Sequence, residues 1–471
     1  DELMWQSVVL KMYTEPMLRV NHDTVYTELQ RVRERREAAK QRLATALGVT
    51  DLNALVSVLN SNQKFAEALT LFGADAPMKV SETTGNPTFA LGIKDAEFLA
   101  LQDHPVPEVR ELVVARMGLK SSIEESRCEQ FLKLAEFASM PAPYKISGAR
   151  THRLGGNDSN NLQNLPSGRI KGQSKALRES IEAPEGHILI GADSSQVEVR
   201  TIDYIANNIQ SLDNFRNGVC PYSSVAVQLF NEGDPVQIKR DAKKGIEPWA
   251  MRRQIAKSAR LALQFGQGGA GYQNYAKVQA GITLSLKEAE QYKKAFRDKN
   301  PAIVSMWRLG DRVLGAMLRG DAGQFGGPDG KLFTFDGART VLGEPIPGVQ
   351  LPDGVWVSYP KLELVEGKFG PSYRFCEMQG NKREYVYVHG SKFIQQLTQA
   401  MAFACMRWYA TQTERKIVLN SHDEHVLCVP LEDADAAAAE LEALMKTAPP
   451  WAPGLPLDCE VHRGFNYGEL K

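Results

Sequence analysis

Across residues 252–272 the chain reads RRQIAKSARLALQFGQGGAGY, and its polar and apolar positions repeat with a helical period. Arg253, Lys257, Leu261 and Phe265 follow at i, i+4 steps, so a helix sets them in one slowly drifting stripe. Two cations open the stripe and two apolar groups follow; Gly266, Gly268, Gly269 and Gly271 are expected to end the helix. Such a stripe suits a ligand with a polyanionic tail and a flat, stackable head, as a nucleoside triphosphate has. It equally fits an amphipathic core helix with a solvated basic edge.

The same periodicity predicts helices through residues 1–48, the second being the charged run 25–47. That run reads either as a solvated helix or short coiled coil, or as a helix whose arginines touch a duplex backbone. Short helices are expected through 51–140, broken at Gly73, Pro77, Gly85-Asn86-Pro87 and Pro105, with Lys79, Lys94 and Lys120 among them. Residues 141–172, rich in Gly, Asn, Ser and Pro, read as a loop with turns. Within it Thr151-His152-Arg153 and Asn161-Leu162-Gln163-Asn164 carry side chains that can donate and accept, which suits base edges in a minor groove. Residues 188–191 form an apolar strand with Asp193 where it ends, and Val197, Val199, Ile202 and Ile205 then turn helical. An acid there is a common metal-ligand position, and equally a cap. Helices run to about 310, followed by hairpins with turns at Gly327-Pro328-Asp329-Gly330 and Asp353-Gly354. A helix over 391–415 carries Gln395, Gln396 and Gln399 on an apolar background. Strands 416–420 and 425–430 flank His422-Asp423-Glu424, a hairpin with two carboxylates at its tip. Strands alternating with helices here suggest a half-covered antiparallel sheet.

Composition narrows this picture. At 471 residues the chain can hold two to four lobes, and 43% hydrophobic with 24% charged residues is ordinary for a globular protein without membrane spans. No secretory signal is present, and the start at Asp1 predicts a fragment of something longer or a processed form. Six cysteines without a C-x-x-C pair argue against zinc and fit a reducing, cytoplasmic setting. Net charge is zero, but residues 239–260 hold Lys239, Arg240, Lys243, Lys244, Arg252, Arg253, Lys257 and Arg260 against Asp241 and Glu247, a local excess of +6. Phosphates would bind there. Asp193 and Asp423, at the tips of separate strands, could converge to hold two divalent ions about 3.5–4 Å apart, as two-metal phosphoryl transfer requires.

At this point the sequence resembles the family A (DNA polymerase I-like) DNA polymerases, in particular those encoded by bacteriophages. ADSSQVEVR is similar to the family's first carboxylate motif, RRQIAKSARLALQFG to its nucleotide-binding fingers helix, and SHDEHV to its second carboxylate motif. ARTHRL…NNLQNLP is similar to its primer–template loop. LPDGVWVSY, VHGSKFIQQLTQAMA and PPWAPGLPL are similar to segments of phage members, and the resemblance spans about residues 10–471 in the family's order.

The resemblance implies an α+β, right-hand polymerase fold with a thumb, a palm bearing an antiparallel sheet, and helical fingers. It places a connection to an upstream exonuclease at 1–19, the thumb at 20–140, the palm at 141–200 and 376–471, and the fingers with a hairpin-rich insertion at 201–375. The proofreading exonuclease is expected to be missing. Asp193 and Asp423 would bind two Mg2+ ions, or Mn2+, with the Ser194 carbonyl, and Glu424 would support them. Arg253, Lys257 and Tyr222 would meet the triphosphate, with Lys257 protonating the leaving pyrophosphate. Glu198, beside Gln196, would be the steric gate against a ribose, and Phe265 would pack near the templating base. Arg153, Gln163, Gln395, Gln399 and His422 would touch the primer–template. Leu261 stands where relatives often carry an aromatic residue, Ser194 where they carry tyrosine, Phe265 replaces a tyrosine, and Tyr222 a histidine. The implied partners are primer–template DNA, dNTPs and phage replisome proteins (helicase, primase, single-strand binding protein), acting on a monomer in the host cytoplasm. A single-subunit RNA polymerase, a reverse transcriptase and a non-catalytic DNA-binding protein are the alternatives; Glu198 and Phe265 weigh against ribonucleotides, and the paired acids against an idle site.

Overall fold

The computed structural model describes residues 2–81, 86–92, 95–119, 123–157, 160–168, 174–367, 370–379 and 382–470. Asp1, Gly85, Lys94 and Lys120, named above, lie outside them. The chain divides into two compact units, one of Arg19–Met140 with Pro166–Glu182, the other of Asp1–Leu18, Pro141–Leu165 and Ala183–Lys471.

The smaller unit is built on the His22–Leu47 helix. Asn21 caps its start by accepting the Thr24 N–H, and Gly48, in the left-handed region, closes it. Leu43, Leu59, Phe65, Leu69, Phe98 and Leu112 bury a common core with the helices that follow. The charged run has a structural destination. Arg33 binds Glu125 at 2.9 Å and Glu129 at 2.8 Å, and Arg35 and Arg36 pair with Glu124 and Glu125 of the Ile123–Ala135 helix. These arginines therefore lace two helices together. A two-strand hairpin, Met78–Val80 with Pro87–Phe89, interrupts what had been expected to be helices alone.

The larger unit centres on a four-stranded antiparallel sheet in the order Ile417–Ser421, Glu424–Pro430, His187–Ser194, Cys459–Gly464. Antiparallel strands joined by a tight turn need no crossover, so consecutive 417–421 and 424–430 pair directly. The Gly390–Gln412 helix lies in the core, with Phe393, Leu397, Met401, Phe403 and Tyr409 buried around its circumference. Its start meets the Pro301–Leu318 helix so closely that a Cβ on Gly390 would lie 1.9 Å from the Trp307 carbonyl. The hairpin-rich segment forms two further antiparallel sheets, one of four strands between Ala322 and Ser358 and one of three between Glu363 and Val388. Among the described residues no single helix is long and apolar enough to cross a membrane.

Gly390→Ala should force the two helices apart. The expected cost is at least about 1–3 kcal/mol of stability, read as a lowered urea midpoint.

Candidate active site

Register places the first acid. Asp193 is the penultimate residue of its strand and faces Glu424 on one side and Glu460 on the other. Asp423 lies in the two-residue turn after Ser421, where His422 takes a left-handed φ of 59°. The Ser194 N–H donates to the Asp423 carbonyl at 2.8 Å, tying the turn to the end of the Asp193 strand. Both aspartates are half-buried. Glu424 is not at the tip as expected: it opens the next strand, is 1% exposed, and accepts the Tyr467 hydroxyl at 3.0 Å. Its strand is buried from Glu424 to Val429, and Glu424 is buried with it; nothing in the local sequence signals Tyr467.

A polar network steadies this hairpin from below. Asn420, fully buried, accepts the Tyr144 hydroxyl on its carbonyl at 2.8 Å and donates its side-chain amide to the Glu424 carbonyl at 3.2 Å. His425 lies 2.9 Å from the Met406 carbonyl through Nε2 and 3.4 Å from the Asn420 amide through Nδ1. Those partners assign the Nε2–H tautomer: Nε2 donates and Nδ1 accepts. Burial depresses the His425 imidazole to about 4, which keeps it neutral. Gln163 belongs to the same network, 6% exposed with its amide 3.5 Å from the Asn420 carbonyl, rather than displayed on the loop surface.

The cationic helix runs Trp249–Leu263, shorter than the pattern suggested. Gly266 turns the chain at φ 81°, where a Cβ would strike Ser391, and a second helix, Gly269–Ala280, takes in Gly269 and Gly271. Gly266 therefore makes the break, while Gly268 caps the helix that follows. Arg260 of this helix forms a buried ion pair with Asp203 at 2.6 Å, and Asp203 also accepts from Asn208 and Ser211. Arg253, two turns earlier on the same side, and Lys257 lie 5.8 and 5.7 Å from the Tyr222 ring centroid. Burial pushes the Tyr222 phenol up to about 12, so the ring is a neutral surface for both cations. Arg253 also donates to the Cys220 sulfur at 3.5 Å. Burial alone would raise that thiol, but hydrogen bonds from Ser223 and Arg253 outweigh it and lower its pKa. The sequence excess of +6 overstates the free charge here, since Arg252 pairs with Glu232 and Arg260 with Asp203, two acids outside that segment. Leu261 and Phe265 are half-buried.

The remaining candidates sort by element. Glu198, in the first turn of the Val197–Ile205 helix, pairs with Arg153 of the 141–165 loop. Gln196 sits just before that helix at a left-handed φ of 52°. Tyr275, which sequence reading missed, lies within range of both Glu198 and Tyr222: burial raises its phenol and the Glu198 charge raises it further. Tyr222, Arg253 and Lys257 form one cluster. Gln395 and Gln399 are half-buried, whereas Gln396 accepts the Tyr359 hydroxyl at 2.9 Å and is structural. Among the described residues no three His, Cys, Asp or Glu side chains form a metal cage. Two carboxylates and a backbone carbonyl fit a hard cation that takes its other oxygens from substrate and water. The Ser194 hydroxyl is buried without a hydrogen-bond partner among the described residues.

Residues 27–308 match the family model described as DNA polymerase family A. The chain is 30% identical over 298 residues to the DNA polymerase of Bacillus phage SP02, covering 61% of this chain and 42% of that protein. It is 27% identical over 230 residues to DNA polymerase I of Pseudomonas aeruginosa, covering 49% and 22%. The chain thus spans less than half the length of these curated relatives. It also superposes on the POL domain of Pol1 from M. smegmatis, solved in complex with DNA primer-template and dNTP. That match has a TM-score of 0.68 at 16% identity, over 100% of this chain and 70% of that one. At that identity the likeness shows the fold, a right-hand polymerase architecture of helices and antiparallel sheet.

Folding stability should carry the signature of His425. Its pKa is depressed in the folded state, so the unfolded chain binds the extra proton between about 6.5 and about 4. This contribution is fully present above that window and lost as pH falls through it, amounting to about 3 kcal/mol. Urea unfolding should weaken by that amount from about pH 7 to about pH 4, and His425→Gln should flatten the dependence.

Proposed function

Because the chain belongs to DNA polymerase family A, we propose that it extends a primer on a DNA template by transferring deoxynucleotides from dNTPs. The observation that supports this reading is the Ser194–Asp423 backbone hydrogen bond, which ties the turn carrying half-buried Asp423 to the end of the strand carrying half-buried Asp193. The primer 3′ oxygen attacks the α-phosphorus, a new P–O bond forms, and the bond to pyrophosphate breaks. Asp193, Asp423 and the Ser194 carbonyl would hold two Mg2+ ions, which when bound acidify the primer hydroxyl and screen the leaving charge.

The other side chains act by position and charge. Arg253 and Lys257, steadied over Tyr222, grip the triphosphate, and Lys257 gives the leaving pyrophosphate a proton. Glu198 closes the space that a ribose 2′-hydroxyl would need and so disfavours rNTPs. Arg153, Gln395, Gln399 and His422 face the primer–template, and Phe265 the templating base. Arg153 has Glu198 as its partner within the chain. The thumb role falls to the Arg19–Met140 unit and the palm role to the central sheet. The likeness to the phage SP02 protein supports a phage-type member.

Primer extension with purified protein tests the reading. Asp193→Ala and Asp423→Ala should each lower kcat by more than about 10³-fold, with folding intact by circular dichroism. Equal extension by wild type and Asp193→Ala would sink the site, and equal use of rNTPs and dNTPs would favour an RNA polymerase. Leu261 supplies no hydroxyl, so ddTTP should be a poor substrate beside dTTP, and Leu261→Tyr should narrow that gap. Comparable incorporation of the two by the wild type would remove Leu261 from the selectivity.

A further inference from the structure

The three-stranded sheet of the insertion, Glu363–Gly367, Gly370–Gln379 and Lys382–Val388, has two unlike faces. Directly paired residues share a face, so Arg383, Tyr385 and Tyr387 stand with their partners Met378, Cys376 and Arg374. The opposite face buries Phe375 and Val388 against the body of the unit. The first face is open: Tyr385 is 45%, Tyr387 49% and Met378 58% exposed. Arg374, held by Glu363 at 2.6 Å, lies 4.4 Å from the Tyr385 ring centroid and extends the flat surface.

This face runs into a cavity of about 830 Å³, lined by Met378 and Arg383 and, from other segments, by Trp356, Lys145 and Lys361. Lys145, Lys361 and Arg383 make no ion pair among the described residues. The Trp356 ring is backed by the Arg339 guanidinium at 4.5 Å. One loop links the cavity to the candidate active site. Arg150 pairs with Glu377 at 3.0 Å, His152 meets the Trp356 carbonyl at 3.0 Å, and the next residue, Arg153, pairs with Glu198.

We propose that this face and its cavity bind single-stranded DNA, the unpaired template segment; that assignment to the template rests on the polymerase reading above. Tyrosine and tryptophan faces stack on any unpaired base, and interleaved cations take the phosphates, which gives binding without sequence preference. A duplex hides its base faces and would use only the cations. An apolar protein partner would use the rings and leave three cations opposite nothing.

Fluorescence anisotropy of the full chain with a labelled oligothymidylate tests the binding. The double variant Tyr385→Ala/Tyr387→Ala should weaken it about tenfold or more at an unchanged melting temperature, while Tyr385→Phe/Tyr387→Phe should retain it. Wild-type affinity in the alanine variant overturns the proposal, as does an equal loss in the phenylalanine variant. Primer–templates with long and with one-nucleotide template overhangs then test the strand: the alanine variant should slow extension on the long overhang alone. Equal slowing on both overturns the template assignment. A wild-type chain that binds the probe but extends no primer overturns the polymerase reading while supporting single-strand binding at this face.

Discussion

Everything at the candidate site depends on the register between the His187–Ser194 and Glu424–Pro430 strands. Asp193 opposite Glu424 is one setting of a pairing in which a slip of one residue would exchange the two faces. Asp193 and Glu424, directly paired, share one face, and a slip of either strand would part them. Two features hold the setting. The apolar residues Leu189, Val426 and Leu427 must stay inside, and the Ser194 N–H closes on the Asp423 carbonyl at the end of the ladder. The neighbouring network of Asn420, Tyr144 and His425 adds specificity more than net stability. Each of its buried donors and acceptors is costly only if left unmade, so a competing register loses several hydrogen bonds at once.

Much of the fold could be read from the chain. The hairpin around His422-Asp423, the strand before Asp193, the helix at 390–412 and the Gly/Pro turns of the insertion follow from period, length and turn chemistry. The cationic helix was legible in type but not in length. Four glycines in six residues look alike in sequence, yet only Gly266 sits against Ser391 and makes the break. The roles of charges were least legible. Arg33, Arg35 and Arg36 resembled a phosphate-binding run, and their acids lie about ninety residues away on another helix. Sequence shows a charge but not its partner, because ion pairs form through the fold.

The same limit hid Tyr467, Tyr275 and Tyr144, each a lone tyrosine in an unremarkable stretch. Their roles follow from the fold: one bonds Glu424, one lies within reach of the Glu198 charge and one bonds Asn420. Conversely, Gln163 and Gln396 had the composition of ligand-facing amides, and both are engaged within the protein. A buried amide must be satisfied, and an internal partner satisfies it as well as a ligand does.

The buried pair of Arg260 with Asp203 bears on how this protein could be re-engineered. Losing either partner strands a charge in the core, at a cost of about 3–5 kcal/mol, so Arg260 tolerates almost no change. Leu261, adjacent in sequence, is half-buried beyond that anchor. A library built at Leu261 can therefore vary that position while the ion pair keeps the helix seated. Evolvability here turns on single positions: Arg260 is locked by its ion pair, and its neighbour Leu261 carries no charge to strand.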